Sequence, residues 1–325
     1  MNVQVMGAGG WGLALARLLA LKGHHVALWC RSSLVAASLR ETRQRPELLP
    51  GVLLPPSVTV ATETANDAEM AVLAVPSHAM RAVLTEHPLP PNAIRVSAAK
   101  GIENGTLLRM SEVIAEVAGP GAVVALSGPS HAEEVGRDLP ASLVAACEDA
   151  ASATRVQEVF MTGAFRVYTG GDIVGVELGG ALKNVMAIAA GVCDGLELGD
   201  NAKAALITRG LAEIARLGVS MGAAPLTFAG LSGLGDLIVT CSSRHSRNRA
   251  LGERIGRGET LAQVLDGART VAEGVRTAES AQGLAVRQGV EMPITEQVCG
   301  VLYHGVEPRQ AIASLMQRDA KPERG

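Results

Sequence analysis

The sequence predicts an α/β N-terminal domain built on a mostly parallel sheet, followed by an all-α C-terminal domain. Three observations carry that expectation. Up to about Gly170, short apolar runs alternate with helix-period segments, the pattern of successive βαβ units. The first apolar run leads into a glycine-rich turn and then an amphipathic stretch. Beyond Gly170 the strand signal fades, and the segments become long and rich in Ala, Leu, Glu and Arg. The boundary falls at 172/173, giving domains of 1–172 and 173–325. A chain of 325 residues, 48% of them hydrophobic, is long enough to bury two cores.

In chain order, the apolar runs predict strands at residues 3–6, 26–29, 58–61, 70–75, 94–98, 123–126, 142–146 and 165–168. Helices are expected between them at 11–22, 77–86, 107–117 and 151–161. The proline-rich stretches 46–56 and 88–91 read as surface connections. In the second half, helices are expected at 172–194, 201–221, 274–289 and 294–302. Residues 175–193 are apolar on nearly every face except at Glu177, Lys183 and Asn184, which predicts a central helix packed on several sides. Gly179, Gly180 and Ala181 would let other backbone or a ligand approach it closely. The tail 321–325 is expected to be disordered.

Charge narrows the function classes. A net charge of -3, with no run of five or six like charges, leaves no electrostatic footprint for nucleic acid or an anionic membrane, so a small-molecule partner is expected. Cys30, Cys147, Cys193, Cys241 and Cys299 are dispersed, without a CxxC pair or a His at zinc-ligand spacing. They read as buried thiols in a reducing compartment. His131, His245 and His304 likewise lack a second ligand at metal spacing, so no metal site is expected. The opening MNVQVMGAGGWG lacks the basic and apolar regions of a signal peptide, no apolar run reads as long enough to span a bilayer, and a cytoplasmic location is expected.

The run Gly7-Ala8-Gly9-Gly10-Trp11-Gly12 lies between a strand and a helix, the context a GxGxxG fingerprint requires. Gly7 permits the tight turn, Gly9 lets backbone approach a pyrophosphate, and Gly12 allows close helix-strand packing, while N–H groups at the helix start face the phosphate. The alternative is a purely structural glycine turn. This context makes the first domain Rossmann-type. At the end of the second strand, where a carboxylate would bind the ribose 2′-OH of NADH, the sequence reads Trp29-Cys30-Arg31-Ser32-Ser33. Arg31 and Ser32 suit a 2′-phosphate, so NADPH is favoured, with NADH also allowed. A solvated surface Arg31 is the plainer alternative.

Three further segments place polar groups in small or apolar surroundings. Ser97-Ala98-Ala99-Lys100-Gly101 follows a predicted strand, where open α/β sheets hold their ligands. Ser127-Gly128-Pro129-Ser130-His131-Ala132 follows another and leads into a predicted helix start. Leu178-Gly179-Gly180-Ala181-Leu182-Lys183-Asn184 sets one Lys on an apolar helix, where desolvation lowers its pKa toward a range useful for proton transfer. Each has a structural alternative: Lys100 as a surface strand end, Ser127 to Ser130 as a helix cap, Lys183 as a snorkelling or salt-bridged residue. Gly233-Leu234-Gly235-Asp236 precedes an apolar turn, and Ser246-Arg247-Asn248-Arg249 offers hydroxyl, guanidinium and amide donors that suit a phosphate. A charged, capped helix start would look the same.

At this point the ordered segments GAGGWG, SAAKGIE, SGPSHAEE, VELGGALKNVMAIAAGVCDGLELGDNAKAALITRGLAE, GLSGLGDLIVTC, SRNR, VAEGVRT and GVEMPIT become recognisable. From about residue 1 to about 318 the chain resembles the bacterial-type NAD(P)-dependent glycerol-3-phosphate dehydrogenases. The resemblance implies that Gly10 and Trp11 line the cofactor pyrophosphate, Arg31 and Ser32 flank the adenosine ribose, and Lys100 touches both cofactor and substrate. It implies substrate contacts at Gly128 and Ser130, a cofactor contact at Ala132, and proton transfer by Lys183. Asp236, Ser246, Arg247 and Asn248 match the remaining substrate positions, Arg247 also lying near the cofactor, and Val271 and Glu273 match its nicotinamide side. Two positions depart from the family: Gly10, where Ser is frequent, and His131, where an aromatic or small residue is common.

The reaction implied is reversible reduction of dihydroxyacetone phosphate to sn-glycerol 3-phosphate, which supplies glycerophospholipid synthesis. Lys183 acts as acid and base, Asp236 holds its ammonium, and Lys100 supplies positive charge at the reacting oxygen. The expected partner is a phosphorylated triose, with no nucleic acid and no membrane span; a homodimer is allowed. Two rivals remain: another two-domain NADPH-dependent reductase of a small hydroxy acid, and a non-enzymatic NADPH-sensing protein on the same fold. The SRNR cluster argues against the first, and Lys183 with Asp236 against the second.

Overall fold

A computed structural model describes residues 1–266, 272–320 and 322–323 of the chain. Eight strands form one sheet: β1 (Asn2–Met6), β2 (His25–Trp29), β3 (Thr59–Ala61), β4 (Met70–Leu73), β5 (Ile94–Ser97), β6 (Val123–Ser127), β7 (Ala141–Ala146) and β8 (Phe165–Gly170). Their order is β3-β2-β1-β4-β5-β6-β7-β8, parallel except where β6 meets β7. β4 and β6 are buried along their whole length, so their apolar runs are continuous rather than alternating, as both-sided coverage demands. Each of the eight strands lies where the apolar runs predicted one. β1 pairs with both β2 and β4, so the chain leaves β1 in one direction and returns on its other side. That reversal opens a crevice at the carboxyl ends of β1 and β4.

Helices α1 (Gly10–Leu21), α2 (Ser33–Thr42), α3 (Met80–Glu86), α4 (Met110–Ala118), α5 (Ala132–Val135) and α6 (Ala150–Phe160) connect the strands. α2 carries no strong sequence signal because only Ala36 and Leu39 of it are buried. The stretch 46–56 is more than a surface connection, since Leu49, Val52 and Leu54 enter the sheet core. The helix expected from 107 begins instead at Met110. Leu107 has φ 61, and Glu112 closes a capping box by accepting from the Arg109 N–H at 2.8 Å.

From α7 (Ile173–Gly195) onward the described residues are helical or irregular: α8 (Gly199–Ser220), α9 (Asp236–Ser242), α10 (Arg247–Gly256), α11 (Leu261–Leu265), α12 (Glu273–Gln288), α13 (Pro293–Tyr303) and α14 (Pro308–Met316). The expected apolar turn after Asp236 is helix α9, entered through a π-type turn at Leu231–Gly235. Gly230, Gly233 and Gly235 lower the local helix propensity and hide the period that follows. α7 is, among the described residues, the one helix long and apolar enough to cross a membrane, which corrects the expectation that no segment reaches that length. Its apolar window is 94% buried, so the surrounding layers use that surface.

Three carboxylates, those of Glu177 and Glu213 buried and that of Asp172 half-buried, hold these layers in register. Asp172 caps α7 through the Gly175 N–H (2.8 Å) and also accepts from the Ala224 N–H and the Thr227 hydroxyl. Glu177 on α7 accepts from the Ser111 N–H (2.7 Å), the Ser111 hydroxyl (2.6 Å) and Arg109 Nη1 (2.7 Å), tying α7 to the start of α4. Glu213 on α8 accepts from the Ile294 and Thr295 N–H groups at the start of α13, where burial pushes its carboxyl up to about 7.

α7 and α10 cross with backbone against backbone. A Cβ at Gly252 would strike the Ile188 carbonyl, one at Gly191 the Arg249 carbonyl, and Gly195 and Gly256 face each other along the same seam. Because these contacts are backbone, neither helix can yield by a rotamer change. Gly252→Ala is therefore expected to force the helices apart and destabilise the protein by about 1–3 kcal/mol, the usual cost of overpacking. Urea denaturation of both proteins checks this; an unchanged midpoint would show that the seam has slack.

Candidate active site

The glycine turn after β1 is closed on both sides. Gly7 has φ 113, and a Cβ there would come within 2.8 Å of the Ala74 carbonyl, while a Cβ at Gly12 would strike the Gly7 carbonyl. Gly9 caps α1 without any side-chain bond, and the first turn carries no acidic residue, so its N–H groups remain available to an anion. Trp11 Nε1 is buried with no hydrogen-bond partner among the described residues. Ala132 lies across from Gly10, where a Cβ would sit 3.7 Å from that of Ala132. Arg31 and Ser32 are exposed at the end of β2, and Ser32 Oγ accepts from the Val35 N–H at 3.4 Å to cap α2. Its proton stays free to donate. The glycine cradle, the unpaired indole N–H and the exposed guanidinium at the ribose end fit a phosphorylated dinucleotide.

Sequence reasoning missed two cations here. Arg45, just before the 46–56 connection, donates to the Ala8 carbonyl at 2.9 Å, beside the glycine turn. Arg276 on α12 acts with Arg31 on the His78 imidazole, whose pKa is lowered by desolvation first and by these two charges next. Their signal is weak in sequence, because an Arg in a loop or on a helix face is ordinarily solvated surface.

The chemistry gathers at the carboxyl ends of β5 and β6. Asp236, 1% exposed at the start of α9, bonds Lys183 Nζ through one oxygen and Lys100 Nζ through the other, the latter at 2.8 Å. Lys100 also donates to the Gly128 carbonyl at 2.9 Å and lies 3.5 Å from Ser130 Oγ. Gly180 makes this possible: a Cβ there would meet Ser127 Oγ at 2.5 Å and Lys100 Cγ at 3.7 Å. Gly128 has φ 143, and a Cβ there would come within 2.9 Å of the Ser142 carbonyl.

Two ammoniums share one carboxylate, so the cluster carries a net positive charge in a low-dielectric setting. Burial lowers Lys183 to about 7; Asp236 opposes the shift and Lys100 adds to it. The ammonium is thus poised to give up a proton near neutrality, and the surplus charge favours an oxyanion beside it.

Asn184, next to Lys183, donates to the Lys100 carbonyl at 3.2 Å and accepts from Asn248 Nδ2 at 3.0 Å; Asn248 Oδ1 accepts from the Gly274 N–H at 2.9 Å. This chain of amides joins the β5 loop, α7, α10 and α12. The three polar residues at the start of α10 therefore differ. Ser246 is buried and caps α10 through the Arg249 N–H (3.2 Å), Asn248 is held by the amide chain, and Arg247 is exposed. Glu273, first residue of α12, has a carboxyl raised by desolvation against the opposing charge of Arg247, and Ser77 N–H lies 3.5 Å from it. Val271 lies outside the described residues. A separate recess of about 420 Å³, lined by Leu18, Val135, Leu139, Met161 and Phe165 among others, shares none of these residues.

The family description "NAD-dependent glycerol-3-phosphate dehydrogenase N-terminus" matches residues 2–153, and "NAD-dependent glycerol-3-phosphate dehydrogenase C-terminus" matches 172–313. The glycerol-3-phosphate dehydrogenase [NAD(P)+] of Pelotomaculum thermopropionicum is 53% identical, covering 98% of this chain and 93% of its own. That of Geobacter sulfurreducens is 52% identical over 99% of both chains. The crystal structure of glycerol-3-phosphate dehydrogenase from Coxiella burnetii, 34% identical, superposes with a TM-score of 0.94 over 98% of this chain and 99% of that one.

The amide chain yields a stability test. Asn248→Ala would strand the Gly274 N–H and one side of the Asn184 amide in the interior, at a cost of about 2–4 kcal/mol for two buried unpaired groups. Urea unfolding, followed by circular dichroism, reads that loss directly; a loss under 0.5 kcal/mol would mean that water replaces the amide.

Proposed function

The chain belongs to the NAD-dependent glycerol-3-phosphate dehydrogenase family, and from that premise we infer that it reduces dihydroxyacetone phosphate reversibly to sn-glycerol 3-phosphate with NADPH, NADH also serving. The observation that carries the reading is the Lys183–Asp236–Lys100 cluster at the carboxyl edge of the sheet that also presents the glycine turn. We assign residues 1–172 to holding the dinucleotide and 173–325 to holding the substrate and moving its proton.

The bound dinucleotide supplies a hydride to C2 of the triose. As charge develops on the C2 oxygen, Lys183 Nζ delivers its proton to it, and in the reverse direction the neutral amine takes that proton back. Asp236 keeps the Lys183 ammonium at one position, and Lys100 adds the second positive charge beside the same oxygen. Arg247 grips the phosphate, with the Ser246 and Asn248 groups beside it, and the remote contact fixes the carbonyl against the cluster. Gly128 and Ser130 frame the substrate from the β6 loop. Gly7, Gly9, Gly10, Trp11, Gly12 and Ala132 hold the pyrophosphate half, Arg31 and Ser32 the ribose 2′-phosphate, and Glu273 the nicotinamide side. All five cysteines are buried and free, which supports a reducing compartment and the cytoplasmic location. A supply of glycerol 3-phosphate for glycerophospholipid synthesis is the role that fits this product.

The direct test is NADPH oxidation by the purified protein, expected only when dihydroxyacetone phosphate is added; none with the triose would refute the reading. The pKa of Lys183 adds a signed prediction. The proton donor is present below about pH 7, so kcat/KM for reduction should fall as pH rises through that region, while kcat/KM for oxidation rises. Asp236→Asn removes the charge that raises this pKa, so both limbs should move to lower pH. pH profiles of the two proteins check this, and limbs that stay in place would detach Lys183 from the proton transfer.

Arg247 separates a phosphate ester from a plain triose. Arg247→Met keeps much of the stem and deletes the charge, so kcat/KM for dihydroxyacetone phosphate should fall by roughly two to three powers of ten, or about 3–4 kcal/mol. Activity toward unphosphorylated dihydroxyacetone should be very poor in the wild type and change little. Equal losses toward both substrates would move Arg247 to the cofactor.

A further inference from the structure

The β6 loop carries a half-buried titratable group that the mechanism above leaves unused. His131 stands between Ser130 and Ala132, and its carbonyl accepts from the Glu134 N–H (3.1 Å) and the Val135 N–H (3.0 Å), so its backbone is tied into α5. Its ring is not tied in the same way. Nε2 is shut off from solvent and has no hydrogen-bond partner among the described residues. Buried polar atoms left unpaired are rare and costly, and they concentrate where a ligand completes them.

The surroundings indicate which ligand. The His131 ring packs on that of His245, centroids 5.9 Å apart at 54°, and His245 immediately precedes Ser246, Arg247 and Asn248. The charges of Lys183 on α7 and Lys100 after β5 act on the ring, as do those of Glu133 and Glu134 on its own helix. Burial lowers the pKa of His131 first, then Lys183 and Lys100, against the two glutamates, so the imidazole is neutral at pH 7. A neutral imidazole has one N–H and one lone pair, and it meets a hydroxyl or phosphate oxygen equally well. The ring therefore packs on the residue that precedes the groups assigned to the phosphate and lies within the electrostatic reach of those assigned to the reacting carbonyl.

We propose that His131 is a further substrate-binding residue, whose Nε2 hydrogen-bonds an oxygen of the phosphorylated triose in the span between the Lys183–Asp236–Lys100 cluster and Arg247. The proposal rests on the function inferred above. The contact adds to binding rather than to the chemical step. Ring packing alone is the competing account, and it needs no nitrogen.

Two variants separate the accounts. His131→Phe keeps a ring against His245 and deletes both nitrogens; His131→Gln restores an amide group at about the reach of Nε2. With NADPH saturating, His131→Phe is expected to raise KM for dihydroxyacetone phosphate about three- to tenfold, the scale of one neutral hydrogen bond. Its kcat should stay within twofold of wild type, its Kd for NADPH should not change, and His131→Gln should recover most of the KM. An unchanged KM in His131→Phe overturns the proposal, as does an equal rise in both variants, which would make ring shape the cause. A readout independent of turnover accompanies these: the ring 15N signals of His131, assigned by their loss in His131→Phe, should shift on addition of glycerol 3-phosphate and not of NADPH alone. A shift with NADPH alone would transfer the residue to the cofactor and overturn the proposal. If the wild type fails to oxidise NADPH with the triose, the function falls, and the 15N shift decides the role of His131 by itself.

Discussion

Asp236 is a carboxylate that the fold removes almost wholly from water, and an isolated charge in that position would be untenable. Its two oxygens are each met by an ammonium, Lys183 from α7 and Lys100 from the loop after β5. That pairing fixes where three chain segments, distant in sequence, must meet. It also fixes the sign of the site, because two cations against one anion leave a surplus of positive charge beside the sheet edge. Removing Asp236 would leave two unpaired ammoniums in the interior, and removing either lysine would take away the surplus positive charge, so structure and electrostatics rest on the same contact.

The rest of the architecture serves to bring those segments close enough. Side chains are absent where backbone or another group must approach: Gly180 under Ser127 and Lys100, Gly179 against the Ser232 carbonyl, and the α7–α10 seam. Close crossing of α7 and α10 sets Asn248 beside Asn184, and the amide chain through Asn248 passes that register on to α12. α7 itself cannot slide, since Asp172 and Glu177 tie its first turns to neighbouring segments by bonds of 2.6–2.9 Å. Lys183 thus sits on a helix held at its first turns from two directions.

The cofactor end obeys a different rule. Its groups are left unsatisfied in the protein: open N–H groups at α1, the unpaired Trp11 indole N–H, exposed Arg31. Around Asp236, by contrast, Lys183, Lys100, Asn184 and Asn248 are already joined in one network, while the Ser127 hydroxyl and His131 Nε2 nearby stay unpaired among the described residues. A ligand completes the first region, whereas it enters the second as one more partner in a network that is already aligned.

Much of this was legible in the chain. All eight strands were, most plainly β4 and β6, whose apolar runs are buried on both faces and leave a continuous signal, and so was the glycine turn, whose spacing is dictated by backbone contact. The oddity of a Lys on an apolar helix was legible too, since burial of an ammonium demands a partner. Helices such as α2 and α9 were not, because a short helix with few buried positions, or one behind glycines, carries little periodicity. Nor was the identity of the partner. Asp236 lies 53 residues from Lys183 and 136 from Lys100, and no local pattern encodes their meeting. The same holds for Arg45 over the glycine turn, for Asn248 turned toward Asn184, and for the unpaired Nε2 of His131. Local physics in the sequence determined which elements form and which residues are anomalous within them. Pairing of charges and amides across elements is long-range, and only the tertiary structure decided it.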